Sequence, residues 1–190
     1  HQILDLALPA YDELFDEIDL EGLVENKGIL YIWNDKDLKS RELEIKVRDE
    51  LGVKQQLVNK KEIHDLEPNI KPFYHAGVYY PYARHARNPK KILLKLFQLF
   101  LKKGGKFEKS NIKEIKFDNE KPIFKTEIDE HKFDKIVITC GAFSKKLTDN
   151  LGEKIPLDTE RGYHVHFKNC DHLLSRPVIF SNRGFGITPM

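Results

Sequence analysis

Cysteine is scarce in this chain. Cys140 and Cys170 are its 2 thiols, too few for a disulfide framework. That usage fits a reducing compartment. Cys140 sits inside an apolar run, and the expectation is a buried small hydrophobe. Long hydrophobic runs are also missing. No stretch approaches the roughly 20 apolar residues that a membrane helix needs, and no signal peptide is visible. Charge of one sign is not in excess either. The 32 Lys and Arg against 30 Asp and Glu leave a formal charge of +2, too small to argue for a nucleic-acid partner. The lysines interleave with acids, as on solvated faces. No internal repeat, low-complexity tract or disordered linker interrupts the chain.

What is present allows a core. Hydrophobic residues make up 40% and aromatics 11% of 190 residues, enough for one large domain or two small ones. Residues 3–18 carry Leu6, Ala10, Leu14 and Ile18 at helical spacing, with Pro9 placed to kink or delay the helix. Residues 28–33, GILYIW, read as a strand. A second helix is expected over residues 37–51, with Leu43, Val47 and Leu51 on one face and Gly52 as its stop. Residues 59–66 read as a short helix with Asn59 as N-cap and Glu62 completing a capping box. Residues 76–80 form a strand that Pro81 ends. The helix over residues 89–103 is the best defined: Asn88 caps it, Pro89 takes the first turn, and Gly104-Gly105 ends it. Its apolar stripe is Leu93, Leu96, Phe97 and Phe100. Three strands over residues 111–117, 122–128 and 132–139 follow, joined by polar turns at Asp118-Asn119 and Asp129-Glu130. A helix followed by a three-stranded meander is an α+β pattern. Further strands are expected over residues 160–167, 177–181 and 185–188. The glycines of GFG, Gly184 to Gly186, lack the strand–turn–helix setting of a phosphate loop and read as a hairpin.

Among 8 histidines, His164 and His166 alternate on an expected strand and share a face. No third ligand stands at a standard spacing, so no metal site is expected. Tyr79, Tyr80, Tyr82, Arg84, His85 and Arg87 cluster just ahead of the capped helix. Arginine and tyrosine both bind carboxylates, and a solvated surface loop accounts for the same cluster. The apolar run from Ile136 to Cys140 ends at Gly141-Ala142. A buried strand that breaks at glycine and opens toward a helix brings backbone close to a ligand. A plain strand-to-helix turn is the other reading of that break.

The stretch IVITCGAFS, its LG loop, IPL and ERGY together resemble the FAD-dependent D-amino acid oxidase and dehydrogenase family, which includes glycine and sarcosine oxidases. Two further blocks fit: residues 77–117 and the GFGITPM end. Leu66-Glu67-Pro68 matches a common LEP element. The resemblance implies an α+β fold, with an antiparallel substrate-domain sheet and a partial FAD-binding α/β layer carrying a three-stranded meander. It implies substrate-domain parts at residues 1–87 and 156–190, and a partial FAD-binding domain at 88–155. It places Cys140, Gly141 and Ala142 against FAD and gives Ile112 a main-chain contact to the adenine edge. Tyr80, His85 and Tyr163 are its substrate-binding candidates, and one of His164 and His166 also faces that cavity if the strand forms.

No GxGxxG strand–turn–helix for the pyrophosphate occurs. The chain is therefore expected to be an internal piece that is itself inactive and does not hold FAD, with the carboxylate-binding arginine beyond Met190. The implied reaction is oxidation of the Cα–N bond of a small D-amino acid, glycine or N-methyl amine, with hydride passed to FAD. No catalytic residue is assigned. A flavin oxidoreductase acting on a 2-hydroxy acid or glycerol 3-phosphate, or a non-enzymatic binding module, are the alternatives. The expected partner is a small amine or amino acid, without nucleic acid or a transmembrane segment. The expected location is cytoplasmic, with a peripheral place at the inner membrane as the variant.

Overall fold

The computed structural model describes residues 2–34, 39–170 and 172–190. In chain order the elements are α1 (Gln2–Asp16), β1 (Val24–Glu25), β2 (Ile29–Trp33), α2 (Lys39–Glu50), β3 (Gln56–Asn59), α3 (Lys60–Leu66), β4 (Ala76–Tyr80), β5 (His85–Ala86) and α4 (Pro89–Lys102). Then come β6 (Glu114–Asp118), β7 (Lys121–Lys125), β8 (Glu130–Lys132), a 3-10 turn (Gly141–Phe143), α5 (Ser144–Asp149), β9 (Val178–Phe180) and β10 (Phe185–Ile187). Two compact units result: His1–Gly105 with His166–Met190, and Lys106–Val165. The class is α+β, as expected. No helix among the described residues is long and apolar enough to cross a membrane.

Local chemistry sets the helices of the first unit. The Asn59 side chain accepts from the amides of Lys61 and Glu62, and the Glu62 carboxylate accepts from the Asn59 amide at 2.7 Å. That is the expected capping box, and it fixes where α3 begins. At the end of α2, the Val53 amide reaches back to the Arg48 carbonyl and the Gly52 amide to that of Asp49. This pair of bonds closes the helix at Gly52. Expected helical positions 37 and 38 lie outside the described residues. Helix α1 begins ahead of Pro9 and runs through it, so Pro9 does not delay the start and removes one backbone bond. Helix α4 starts at the expected cap, with Asn88 accepting from the Lys91 amide at 3.0 Å. Its apolar stripe is not buried: no α4 residue is, and Leu93 and Phe100 are exposed.

The main sheet has strand order β10-β9-β2-β4-β3. Its pairs are antiparallel except β2 with β9, which run parallel. Side chains alternate across each strand. Leu30 and Ile32 of β2 therefore share one face with Val178 and Phe180 of β9, their register partners. That face is the core, closed by Ile63 of α3, Ile70 and Tyr74. The other face carries Tyr31, Trp33 and Tyr80. Gly184 turns the β9–β10 hairpin in a left-handed conformation, so GFG forms the hairpin expected of it.

Gly28 leads into β2 at a φ of +73°, and a Cβ there would lie 2.5 Å from the Tyr79 ring and 2.6 Å from the Tyr80 carbonyl oxygen. Only glycine meets both demands.

Glu67 joins the distant parts of this unit. Its side chain is 2% exposed. The carboxylate accepts from the Ser175 amide at 3.1 Å, from the Ser175 hydroxyl, and from Arg176 Nε at 3.0 Å. Arg176 also donates to the Lys27 carbonyl at 3.0 Å and stacks its guanidinium 5.2 Å from the Tyr79 ring.

The second unit holds the meander, order β6-β7-β8, antiparallel throughout. Asn119 and Glu120 both adopt positive φ in the two-residue turn between β6 and β7, the geometry that suits hairpin twist. The Thr126 hydroxyl accepts from the amides of Ile128 and Asp129 and closes the next turn.

Three expectations fail here. Residues 136–140 form no strand, Val137 is 81% exposed, and Cys140 is an exposed thiol and not a buried hydrophobe. Residues 160–167 also form no strand, and Tyr163, Val165 and Phe167 are exposed. The third meander strand, expected over 132–139 after a turn at Asp129-Glu130, lies instead at Glu130–Lys132, and residues 134–139 form no strand. One cause covers all three. An extended segment becomes a strand only beside a ladder partner, and no described segment pairs with these residues.

Removing the Glu67 carboxylate leaves Arg176 mostly buried without its counter-charge. Glu67→Ala is expected to cost about 3–5 kcal/mol, read as a lowered urea midpoint.

Candidate functional site

The predicted site residues divide between the two units. Tyr80 and His85 belong to the first; Ile112, Cys140, Gly141, Ala142 and Tyr163 belong to the second.

In the first unit, Tyr80 ends β4 and is half-buried. Its ring meets Tyr31 edge to face, with centroids 5.4 Å apart and planes at 79°. The two lie on one sheet face, since Tyr31 pairs with Val78 and Ile29 with Tyr80. The Arg48 guanidinium lies 5.8 Å from the Tyr80 ring. Burial pushes the Tyr80 hydroxyl above its ordinary value, with Glu44 and Tyr31 adding to the rise and Arg48 opposing it. Tyr80 thus keeps its proton at neutral pH and can donate to an anion.

His85 lies in β5 opposite Glu25 of β1. It is 8% exposed, and neither ring nitrogen has a hydrogen-bond partner. Around it, Glu25 pairs with Lys27 at 3.2 Å and with Arg87 at 3.4 Å. Burial lowers the His85 pKa most; Glu25 works against this, and Arg87 and Lys27 add to it. The imidazole is therefore neutral, one nitrogen a donor and one an acceptor.

In the second unit, Gly141 opens the 3-10 turn at a φ of +55°, and a Cβ built on it would meet no atom within 4 Å. The Phe143 amide donates to the Cys140 carbonyl at 3.1 Å, and the Cys140 amide to the Ser144 hydroxyl at 3.1 Å. The amides of Gly141 and Ala142 are the first of the turn and have no acceptor within it. Cys140, Gly141 and Ala142 are all exposed. Ile112 is half-buried, two residues ahead of β6 and outside any strand. Tyr163 is 87% exposed in an irregular segment, so the alternating faces assigned to Tyr163, His164, Val165 and His166 do not exist here.

Two open clefts carry none of these residues. One, of about 470 Å³, is lined by Lys145, Asp149, Gly152, Lys154, Ile155 and Pro156. The other, of about 410 Å³, includes Asp49, Lys54, Gln55 and Tyr82. Among the described residues, no group of three His, Cys, Asp or Glu is arranged to hold a metal.

The sequence reading missed the α2 side chains beside Tyr80 and Trp33. Glu44 pairs with Arg41 at 3.5 Å and with Arg48, and Arg41 stacks 5.7 Å from the Trp33 ring. The spacing i, i+3, i+7 was the available signal, since it sets all three on one helix face.

A family model described as FAD dependent oxidoreductase matches residues 1–190. The chain belongs to the FAD-dependent oxidoreductase family. A D-amino-acid oxidase from Bradyrhizobium diazoefficiens is 30% identical over 158 residues, covering 83% of this chain and 38% of the relative. The glycine oxidase of Bacillus cereus superposes with a TM-score of 0.62 at 22% identity, over 88% of this chain and 47% of that one. The glycine oxidase of Geobacillus kaustophilus gives a TM-score of 0.62 at 19% identity, over 76% and 40%. These two structures speak for the fold. The chain spans less than half the length of each of these three relatives.

The family implies FAD, and the second unit answers that in part. An exposed left-handed glycine beside alanine offers bare backbone to a flat ligand. Such a turn fits one side of a flavin dinucleotide.

Acid tests the His85 environment. A neutral buried histidine must take up its proton on unfolding, so its stabilising share is whole above its ordinary value near 6.5 and falls as pH drops from there toward the depressed folded value. His85→Leu is expected to lose less stability than the parent chain between about pH 7.5 and pH 5, measured by urea unfolding at each pH.

Proposed function

We propose that the whole protein oxidises the Cα–N bond of a small D-amino acid, glycine or N-methyl amine, and that this chain supplies parts of its substrate and flavin surfaces. Residues 1–87 and 156–190 are the substrate-domain parts, and residues 88–155 are part of the flavin-binding domain. The observation that carries this reading is the exposed Gly141-Ala142 turn, opened by Gly141 at positive φ and without a side-chain cap, in a chain of the FAD-dependent oxidoreductase family. The 30% identity to a D-amino-acid oxidase supports the amine substrate.

Bound FAD would supply the hydride acceptor. The chain's own residues do the rest. Gly141, Ala142 and the Cys140 backbone would hold the cofactor by close main-chain approach, and Ile112 would offer its main chain to the adenine. Tyr80 orients the substrate. Its hydroxyl stays protonated and donates to a carboxylate, while its ring and that of Tyr31 cover an apolar side chain. His85, neutral and with both nitrogens unengaged, serves as a substrate contact that can donate or accept. Tyr163, exposed in the second unit, is a separate substrate-binding candidate.

A visible spectrum of the whole protein tests the assignment. Bands of oxidised flavin that bleach anaerobically with glycine, sarcosine or a small D-amino acid are the expected result. Bleaching by glycerol 3-phosphate or a 2-hydroxy acid instead would overturn the substrate class. A colourless protein that takes up no flavin on reconstitution would overturn the enzyme.

Gly141→Val separates cofactor contact from turn formation. No atom stands within 4 Å of the new Cβ, so the left-handed backbone, about 1–2 kcal/mol, leads the local cost. The variant is expected to fold and to retain less flavin than the parent; full flavin occupancy would reduce Gly141 to a turn residue. Tyr80→Phe is expected to raise the apparent substrate constant roughly 5- to 30-fold, the worth of one hydrogen bond, in steady-state kinetics.

A further inference from the structure

We propose that Arg48 of α2 is a positioning residue for Tyr80, aiming the tyrosine hydroxyl at the substrate carboxylate. The role rests on the reading of Tyr80 as a substrate contact. Among the described residues, no acceptor takes the Tyr80 hydroxyl proton. Its neighbour differs: the Tyr79 hydroxyl donates to the Lys27 carbonyl at 3.1 Å. With no hydrogen bond to fix the Tyr80 hydroxyl, whatever holds the ring aims it.

Two side chains hold that ring. Tyr31 meets it edge to face, with centroids 5.4 Å apart, and the Arg48 guanidinium lies over it at 5.8 Å. The main chain beneath is fixed as well: Tyr80 pairs with Ile29, and its carbonyl accepts from the Ala83 amide at 3.3 Å. Arginine is long and flexible, so it orients a ring only if it is held itself. Glu44 holds it, one turn earlier on the same helix face. Charge adds a second effect. A cation is attracted to the ring face and favours the phenolate, which makes the hydroxyl a stronger donor. Burial acts most strongly in the opposite sense, and Glu44 and Tyr31 add to it. The hydroxyl thus keeps its proton at neutral pH, and Arg48 makes it a better donor than burial alone would leave.

Two measurements on the whole protein test this. In the first, the tyrosinate absorbance of Tyr80 is titrated as the difference between the parent and Tyr80→Phe. Arg48→Gln is expected to move its midpoint to higher pH, Glu44→Gln to lower pH, and Arg48→Lys, which keeps the charge, to leave it near the parent's. In the second, steady-state kinetics, Arg48→Gln is expected to raise the apparent substrate constant roughly 2- to 5-fold and to add nothing in a Tyr80→Phe background. Unchanged kinetics in Tyr80→Phe would overturn the substrate reading and this role with it. An effective Tyr80→Phe beside an Arg48→Gln that moves neither the titration nor the substrate constant would overturn the role alone. So would an Arg48→Gln effect that persists in full without the Tyr80 hydroxyl.

Discussion

A carboxylate buried at the end of a short helix organises the first unit. Glu67 sits just past α3 and is almost wholly removed from water. An ionised carboxylate in such a place is tolerated only with several donors at hand. Ser175 and Arg176 supply them from 108 and 109 residues further along the chain. Those two residues lead directly into β9, whose Val178 and Phe180 pair with Leu30 and Ile32 in the only parallel register of the described main sheet. Antiparallel neighbours can be set by a tight turn, whereas a parallel strand arrives from afar and needs something to hold it. The Glu67 network does this, and Arg176 extends it to the Lys27 carbonyl beside the entry to β2.

The same anchor explains why the two faces of the sheet differ. Ser175 and Arg176 fasten β9 where its inward side chains meet Ile63 and Tyr74. That face is then apolar and closed. The residues one position out of phase fall on the other face: Tyr31, Trp33 and Tyr80. They are aromatic, partly polar, and bordered by the arginines of α2. One strand register thus yields an aliphatic core on one side and an aromatic face bordered by arginines on the other. A slip of one residue would exchange them.

How much of this the sequence showed depends on whether the partner was near. The capping box of Asn59 and Glu62 and the Asn88 cap are satisfied within a turn of chain, and their positions followed from residue types. So did strand β4 and the first hairpin of the meander, whose turn lies between successive strands. The register of β9 against β2 did not, because nothing within either strand names a partner so far away. Residues 136–140 and 160–167 show the reverse. The apolar, β-branched run of 136–140 and the alternation of 160–167 promised strands, yet no ladder partner stands beside them among the described residues. Of the candidate site, Gly141 was legible because positive φ selects glycine, and Tyr80 because an aromatic ended a well-defined strand. The unpaired nitrogens of His85 were not, since composition reveals neither burial nor the lack of a partner.

The flavin and substrate candidates differ in a way that bears on what each can do. Tyr80 and His85 are held by packing: one edge to face against Tyr31, the other buried against Glu25 across a strand pair. Their geometry is set before any ligand arrives, which limits the ordering cost of binding. Cys140, Gly141 and Ala142 are held only by their own short turn and lie open to solvent. Such a surface gains order from whatever covers it. On the proposed function, substrate recognition rests on side chains fixed in advance, and cofactor contact on exposed backbone.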